Sequence, residues 1–214
     1  MQFHLQHIIP LPLFEKGNHH DSEIWNNDVI WQKSQMIQIV ANSGTGKTSL
    51  IHALYGLRKD ISGKIVIGNQ NAANINSDEW SILRMKHISI VFQDLRLLPE
   101  YTAWENVMLK HELLPTYSIQ VIKDWFVRLG ISEKMNTAIR LMSRGEQQRV
   151  AIIRALVQPF DFLLLDEPFS HLDEGNANKA AELIYEIIQQ QNAGLIHADL
   201  RKIGYFDYHI TYLL

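Results

Sequence analysis

The chain contains no cysteine, which excludes disulfide bonds and thiol chemistry and is compatible with a reducing compartment. No stretch approaches the roughly 18 uninterrupted apolar residues of a membrane-spanning helix. The opening segment from Met1 to Gly17 lacks the charged head and long apolar core of a secretory signal. If the protein serves a membrane, a partner supplies the membrane. A basic excess is missing too: 20 Lys and Arg against 23 Asp and Glu leave a net charge of −3, so no broad positive field points to nucleic acid. There are no internal repeats and no low-complexity tracts. What is present, 214 residues of which 46% are hydrophobic and 20% charged, suits one folded domain with a substantial core.

The order of periodicities indicates an α/β fold. Phe3 to Ile9 alternates like a strand, a polar turn is expected across Gly17 to Ser22, and Ile24 to Trp31 reads as a weak strand. Met36 to Val40 is a short apolar run ending at a glycine-containing loop, and a helical pattern follows from Lys47 to Leu57. Ile65 to Ile67 and Ile88 to Phe92 are further short strands. From about Thr102 to Val157 the pattern is mainly helical. Ser118 is placed to cap a helix whose Ile119, Ile122, Trp125, Phe126 and Leu129 share a face, with Gly130 as its stop. Phe162 to Leu165 has the continuous apolar character of a strand buried on both sides of a parallel sheet. A helix from about Gly175 to Gln191 and short strands at Leu195 to His197 and Ile210 to Leu213 complete the chain.

Two motifs carry chemistry. Ala41-Asn42-Ser43-Gly44-Thr45-Gly46-Lys47-Thr48 fits the phosphate-loop pattern with Ala in place of the first Gly, and Ser49 extends it as a further nucleotide contact. Glycines let backbone N–H groups turn inward around phosphate oxygens at the start of a helix whose dipole favours anions. Lys47 would neutralise the β and γ phosphates, and the Thr48 hydroxyl would ligate Mg²⁺. A glycine-rich turn before an unrelated helix is the plainer alternative; the strand before the motif and the helix after it favour the phosphate loop. The second motif, Phe162-Leu163-Leu164-Leu165-Asp166-Glu167, ends a buried strand in two carboxylates, where open α/β sheets bind their ligands. Solvated acids at a strand end are the plainer alternative; downstream of a phosphate loop, Asp166 would hold Mg²⁺ and Glu167 would polarise the attacking water.

Between these motifs, Met142-Ser143-Arg144-Gly145-Glu146-Gln147-Gln148-Arg149 resembles the signature segment of ABC ATPases. Val91-Phe92-Gln93-Asp94-Leu95-Arg96-Leu97-Leu98-Pro99, continuing to Glu105-Asn106-Val107, looks like that family's Q-loop region, and Glu167-Pro168-Phe169-Ser170-His171-Leu172-Asp173 resembles Walker B running into the D-loop. The motifs occur in the family's order over nearly the whole chain. The resemblance implies a phosphate-loop core with a mixed sheet (about 1–94 and 156–214), an N-terminal antiparallel β portion and an inserted helical subdomain (about 95–155). It implies ATP and Mg²⁺ as ligands, with Gln93 linking the metal and the attacking water to the helical lobe. It also implies a dimer that sandwiches ATP, in which Ser143, Arg144, Gly145 and Glu146 of one subunit face the nucleotide on the other and Asp173 lies at the seam. An integral membrane permease-type subunit is the implied partner, at the cytoplasmic face of the inner membrane. Phe14 sits near where the family places an aromatic that stacks on adenine; a core aromatic is the alternative. The Q-loop stretch looks like the branch of lipoprotein-releasing, macrolide-export and cell-division ATPases.

The chain also departs from the family. Arg144 replaces a signature glycine. Where the family ends a strand in Thr-His-Asp, with the histidine on the γ phosphate, this chain reads Leu195-Ile196-His197-Ala198-Asp199. Neighbouring strand residues point to opposite faces, so His197 serves as that histidine only if the strand end is irregular. Two readings stand: a shifted loop lets His197 act, or the histidine is absent and hydrolysis is slow. A nucleotide-gated module without appreciable turnover is the alternative function, and a soluble ABC ATPase of DNA repair or cluster assembly a more distant one, because such repair proteins usually carry long insertions absent here. His19 and His20 read as solvated, and Trp104 and Trp125 as packing residues.

Overall fold

The computed structural model describes residues 1–16 and 22–214. The polar turn expected at Gly17 to Ser22, with its two histidines, lies outside the described residues except for Ser22. Alternation at the N-terminus gives β1 (Gln2–Pro10), which buries Phe3 and Leu5 and pairs antiparallel with β2 (Asp28–Gln32) and β4 (Ile61–Ile67). With β5 (Gln70–Asn71) these form a sheet of order β2-β1-β4-β5. The strand expected from Ile24 begins only at Asp28. The Ser22 hydroxyl accepts from the Ile24 and Trp25 amides at 3.1 and 2.8 Å, and Asn26 takes a φ of 60°, so the chain turns where the apolar pattern alone suggested extension.

The second sheet has the order β6-β7-β8-β3-β9, built from β3 (Met36–Val40), β6 (Ile88–Val91), β7 (Phe162–Asp166), β8 (Gly194–Asp199) and β9 (Ile210–Leu213). All of its pairings are parallel. The α/β class, the antiparallel N-terminal portion and the helical insertion are therefore as expected, with the two strand senses kept in separate sheets and not mixed within one. Strand parity divides the core. Ile37, Ile39, Phe162 and Leu164 face α2 (Lys47–Leu54) and the first sheet, where Phe162 meets Phe3 at a ring separation of 4.9 Å. Burying each such aromatic contributes about 1.5–3 kcal/mol. Met36, Leu163, Leu165 and Leu195 face α6 (Arg144–Leu156) and α7 (Glu174–Gln191).

The remaining helices are α1 (Leu11–Lys16), α3 (Ser77–Lys86), α4 (Ala103–His111) and α5 (Ile119–Arg128). Ser118 caps α5 by accepting from the Val121 amide, and Ile122, Trp125, Phe126 and Leu129 are buried as the 3.6-residue period requires; Ile119, in the first turn, is instead exposed. Both α4 and α5 pack on α6, whose buried side chains from Val150 to Leu156 continue into the core under the parallel sheet. The helical region is thus mounted on α6.

Candidate functional site

β3 delivers the chain to the carboxyl edge of the parallel sheet, where the Ala41 amide donates to the Asp199 carbonyl at 3.1 Å. The loop from Asn42 to Gly46 then turns into α2. Gly46 has a φ of 103°, and a Cβ there would lie 2.7 Å from Leu13 Cδ1 and 3.0 Å from the Trp25 ring, so the position accepts only glycine. Trp25 also donates its indole N–H to the Thr45 carbonyl at 3.1 Å. Lys47 is buried, with Nζ donating to the Ala41 carbonyl at 2.8 Å and to that of Asn42 at 3.3 Å, and standing 3.6 Å from Glu167 Oε1. A cleft of about 320 Å³ opens here, lined by Ser43, Gly44, Gly46, Lys47, Thr48, Ser49, Gln93 and Glu167, with Pro12, Leu13 and Arg58 at its sides. Arg58 binds the Ser49 hydroxyl at 2.5 Å and is itself held by Asp60.

Asp166 is 1% exposed and neither of its oxygens has a hydrogen-bond partner of good geometry. Burial pushes its carboxyl up to about 6, the nearby Thr48 hydroxyl opposing and the Glu167 charge reinforcing the rise. The Thr48 hydroxyl donates to Gln93 Oε1 at 3.4 Å. An orphaned buried carboxylate beside a hydroxyl and an amide oxygen is a set of hard donors that fits Mg²⁺, which takes few protein ligands and fills its shell with phosphate and water. Glu167 follows with a φ of 49°, rare for a residue with a side chain, and its amide donates to the Ala198 carbonyl at 2.9 Å.

A second group of predicted residues lies apart from this cleft. Ser143 caps α6 in a reciprocal box: its hydroxyl accepts from the Glu146 amide at 3.3 Å, and Glu146 Oε2 accepts from the Ser143 amide at 2.7 Å. Arg144 is exposed. A Cβ at Gly145 would come within 2.9 Å of the His171 carbonyl, so this glycine lets α6 approach the segment after Glu167. Asp173 is exposed, caps α7 and binds Asn176, which in turn accepts from Arg149 at 2.7 Å.

The structure separates one predicted residue, His197, from the cleft's polar cluster. β8 stays regular through Asp199, with His197 opposite Leu165 and Ala198 opposite Asp166, so parity sends His197 to the far face of the sheet. Its ring is fully buried there beside Phe169 and Phe206, with Nδ1 bound to the Tyr208 hydroxyl at 2.5 Å. The reading in which a shifted strand end presents His197 is therefore not met. Phe14 lies on α1 and is 59% exposed, which removes the core-aromatic alternative; its neighbour Leu13 is the residue over Gly46. Residue spacing gave no sign of Trp25, Arg58 or Gln148. Gln148 donates to the Glu167 carbonyl at 3.1 Å and accepts from the His171 amide at 3.0 Å, joining α6 to the end of β7. Its only signal was its place in the Gln-Gln-Arg continuation of the signature.

Residues 26–170 match the protein family described as ABC transporter. A lipoprotein-releasing system ATP-binding protein, LolD of Legionella pneumophila (strain Lens), is 37% identical over 173 residues, which cover 79% of this chain and 76% of that protein. The ABC transporter ATP-binding protein YbbA of Escherichia coli (strain K12) is 32% identical over 184 residues, covering 85% and 81%. Among solved structures, the dimeric structure of MJ0796, a bacterial ABC transporter cassette, superposes with a TM-score of 0.75 at 24% identity over 83% of this chain and 79% of that one, a likeness of fold.

Proposed function

This chain belongs to the ABC transporter family, and from that premise we propose that it is the ATP-hydrolysing subunit of a transporter, closing as a dimer on two Mg-ATP and driving a membrane partner. The observation that carries the reading is the contact of Lys47 with Glu167 at 3.6 Å beside the unpartnered Asp166. A γ phosphate entering the loop draws the Lys47 ammonium away from Glu167 and from the Ala41 and Asn42 carbonyls. The Glu167 carboxylate is then free to polarise a water in line with the phosphate. Asp166, Thr48 and Gln93 would hold Mg²⁺, which when bound neutralises the phosphate charge that builds up during transfer. Asn42 to Thr45 would supply backbone amides, and Ser49 and Phe14 further contacts to the nucleotide.

Ser143 to Glu146 and Asp173 are assigned to the second half of the site, across the dimer seam. A subunit alone therefore lacks half of each site. No helix among the described residues is long and apolar enough to cross a membrane, in keeping with a separate permease-type subunit engaged at the cytoplasmic face. Residues 95–155 serve as the lobe facing that subunit. The names of the LolD relatives favour the lipoprotein-releasing branch.

A second reading, closure on ATP with little turnover, draws on one observation: directly beside Asp166, β8 presents the methyl group of Ala198 and no polar side chain. Phosphate release by the native chain and by Glu167→Gln separates the two. The hydrolytic reading expects Glu167→Gln to lower kcat at least about 100-fold while retaining ATP and accumulating a dimer on gel filtration. Equal hydrolysis by both proteins removes Glu167 from the role of base.

A further inference from the structure

We propose that Arg154 is a positioning residue of the ATP site, fixing the turn that follows Gln93 and tying it to the helix that carries Ser143. The inference rests on the reading of Gln93 and Ser143 given above. Its starting point is a strained stretch of backbone. Leu95 and Arg96 have φ values of 61° and 46°, two successive residues with side chains in the left-handed region where glycine is at home. Such a turn persists only if its surroundings over-determine it.

One guanidinium does much of this. Arg154 Nη2 donates to the Leu95 carbonyl and Nη1 to the Arg96 carbonyl, both at 2.6 Å. A planar fork reaching two consecutive carbonyls sets the orientation of both peptide groups, which a lysine, as a single flexible point charge, does not. One residue further along α6, the Ala155 carbonyl accepts from the Ser89 hydroxyl at 2.6 Å, pinning β6 to the same turn of the helix. On the other side of the turn the Arg96 guanidinium lies 4.2 Å from the centre of the Phe92 ring, and Phe92 meets Tyr55 and His52 edge-on at 5.6 and 5.9 Å. His52 belongs to α2 and Tyr55 caps it, so the turn is held between the helix that begins at Lys47 and the helix that begins after Ser143.

This arrangement has a mechanical meaning. α6 has 13 residues and spans roughly 20 Å at 1.5 Å per residue. Ser143 caps one end and Arg154 stands near the other. A displacement of α6 when Ser143 engages the nucleotide of the second subunit reaches the Leu95 and Arg96 carbonyls through Arg154, and from there Gln93, whose Oε1 lies against the Thr48 hydroxyl. Gln93 in one site thereby senses occupancy of the other, and loss of Arg154 leaves binding in place while uncoupling turnover.

The test uses the purified full chain with Mg-ATP, comparing native protein, Arg154→Gln, Arg154→Lys and the double variant Arg154→Gln with Arg96→Gly. Arg154→Gln is expected to keep KM within about twofold and lower kcat at least about tenfold. Arg154→Lys should fall between it and the native protein. Glycine at 96 adopts the left-handed turn without a clamp, so the double variant should recover at least about half of the lost kcat. A purely structural role predicts a lower melting temperature with no change in the kcat-to-KM split and no recovery in the double variant, and that result overturns the proposal. Native kcat in Arg154→Gln, or in Arg154→Lys should the glutamine variant not fold, overturns it as well. Glu167→Gln measured alongside tells the failures apart. Hydrolysis at the native rate by Glu167→Gln defeats the underlying reading of the site, whereas its silence together with a native-like Arg154→Gln defeats only the role of Arg154.

Discussion

Lys47, Asp166 and Glu167 are 6%, 1% and 8% exposed, whereas Ser143, Arg144 and Asp173 lie at the surface. The buried group gathers charges where the parallel sheet ends, and one of its carboxylates lacks a hydrogen-bond partner of good geometry. In the exposed group, Ser143 and Asp173 are satisfied as helix caps within their own segments. The first arrangement carries a desolvation cost that a cationic and phosphate-rich ligand offsets. The second carries little cost and is shaped for contact with something outside the chain. Substitutions in the two regions should therefore differ in kind as well as in size.

The largest effect is expected from Lys47→Ala, which removes the Lys47 ammonium from the cleft: ATP affinity should fall at least about 1000-fold in a fluorescent-nucleotide titration, or about 4 kcal/mol. Loss of less than tenfold would mean that the buried region does not bind through its charge.

Asp166→Asn sharpens the contrast, because it should abolish Mg²⁺-dependent turnover while raising stability. The Asp166 carboxyl stands at about 6 in the fold against an ordinary 3.8, so the folded state favours its neutral form. Its favourable contribution is complete below about pH 4, is lost as pH rises to about 6, and is absent at neutral pH, where the ionised buried group costs roughly 3 kcal/mol at most. In chelator at pH 8 the Asn variant should melt on the order of 5 °C above the native chain, and this advantage should vanish toward pH 4. A lower melting point at pH 8 would show that Asp166 is stabilised by partners other than a metal.

Ser143→Ala should have the smallest effect on the single chain, about 1 kcal/mol from the lost cap, or roughly 2–4 °C in melting temperature. Its ATP affinity should stay native, and the Glu167→Gln background should lose its ATP-dependent dimer. If Ser143→Ala weakens nucleotide binding by the isolated subunit as Lys47→Ala does, the two regions are one site and the comparison fails.

The buried region was the more legible in sequence because its chemistry demands residue types at fixed spacing: glycines and Lys47 in one loop, and Asp166-Glu167 at the end of an apolar run. The parity argument at His197 and Ala198 also needed only the alternation of a strand. Trp25, Arg58 and Arg154 were not legible as site residues. Trp25 meets Thr45 at a sequence separation of 20, and Arg154 reaches Leu95 at a separation of 59. Such contacts follow from tertiary packing, which has no periodic trace. The late start of β2 was hidden for a local reason, since Ile24 and Trp25 are apolar enough to read as strand while the Ser22 hydroxyl turns their amides away from one. Ile119 was placed by its period on the face of Ile122, Trp125, Phe126 and Leu129, yet in the first turn of α5 it is exposed.

The register of β8 also bears on how readily this strand could change. A one-residue insertion or deletion ahead of β8 would carry His197 to the face of Asp166, but it would bring a side chain to the place of Gly194, where a Cβ meets the Phe162 ring at 2.6 Å and the Gln35 carbonyl at 3.2 Å. Direct replacement of Ala198 must instead fit an imidazole where the side chain is fully enclosed. Either change meets packed atoms, so the present register of β8 is held by packing, and a side chain aimed at the phosphate would more easily come from another element.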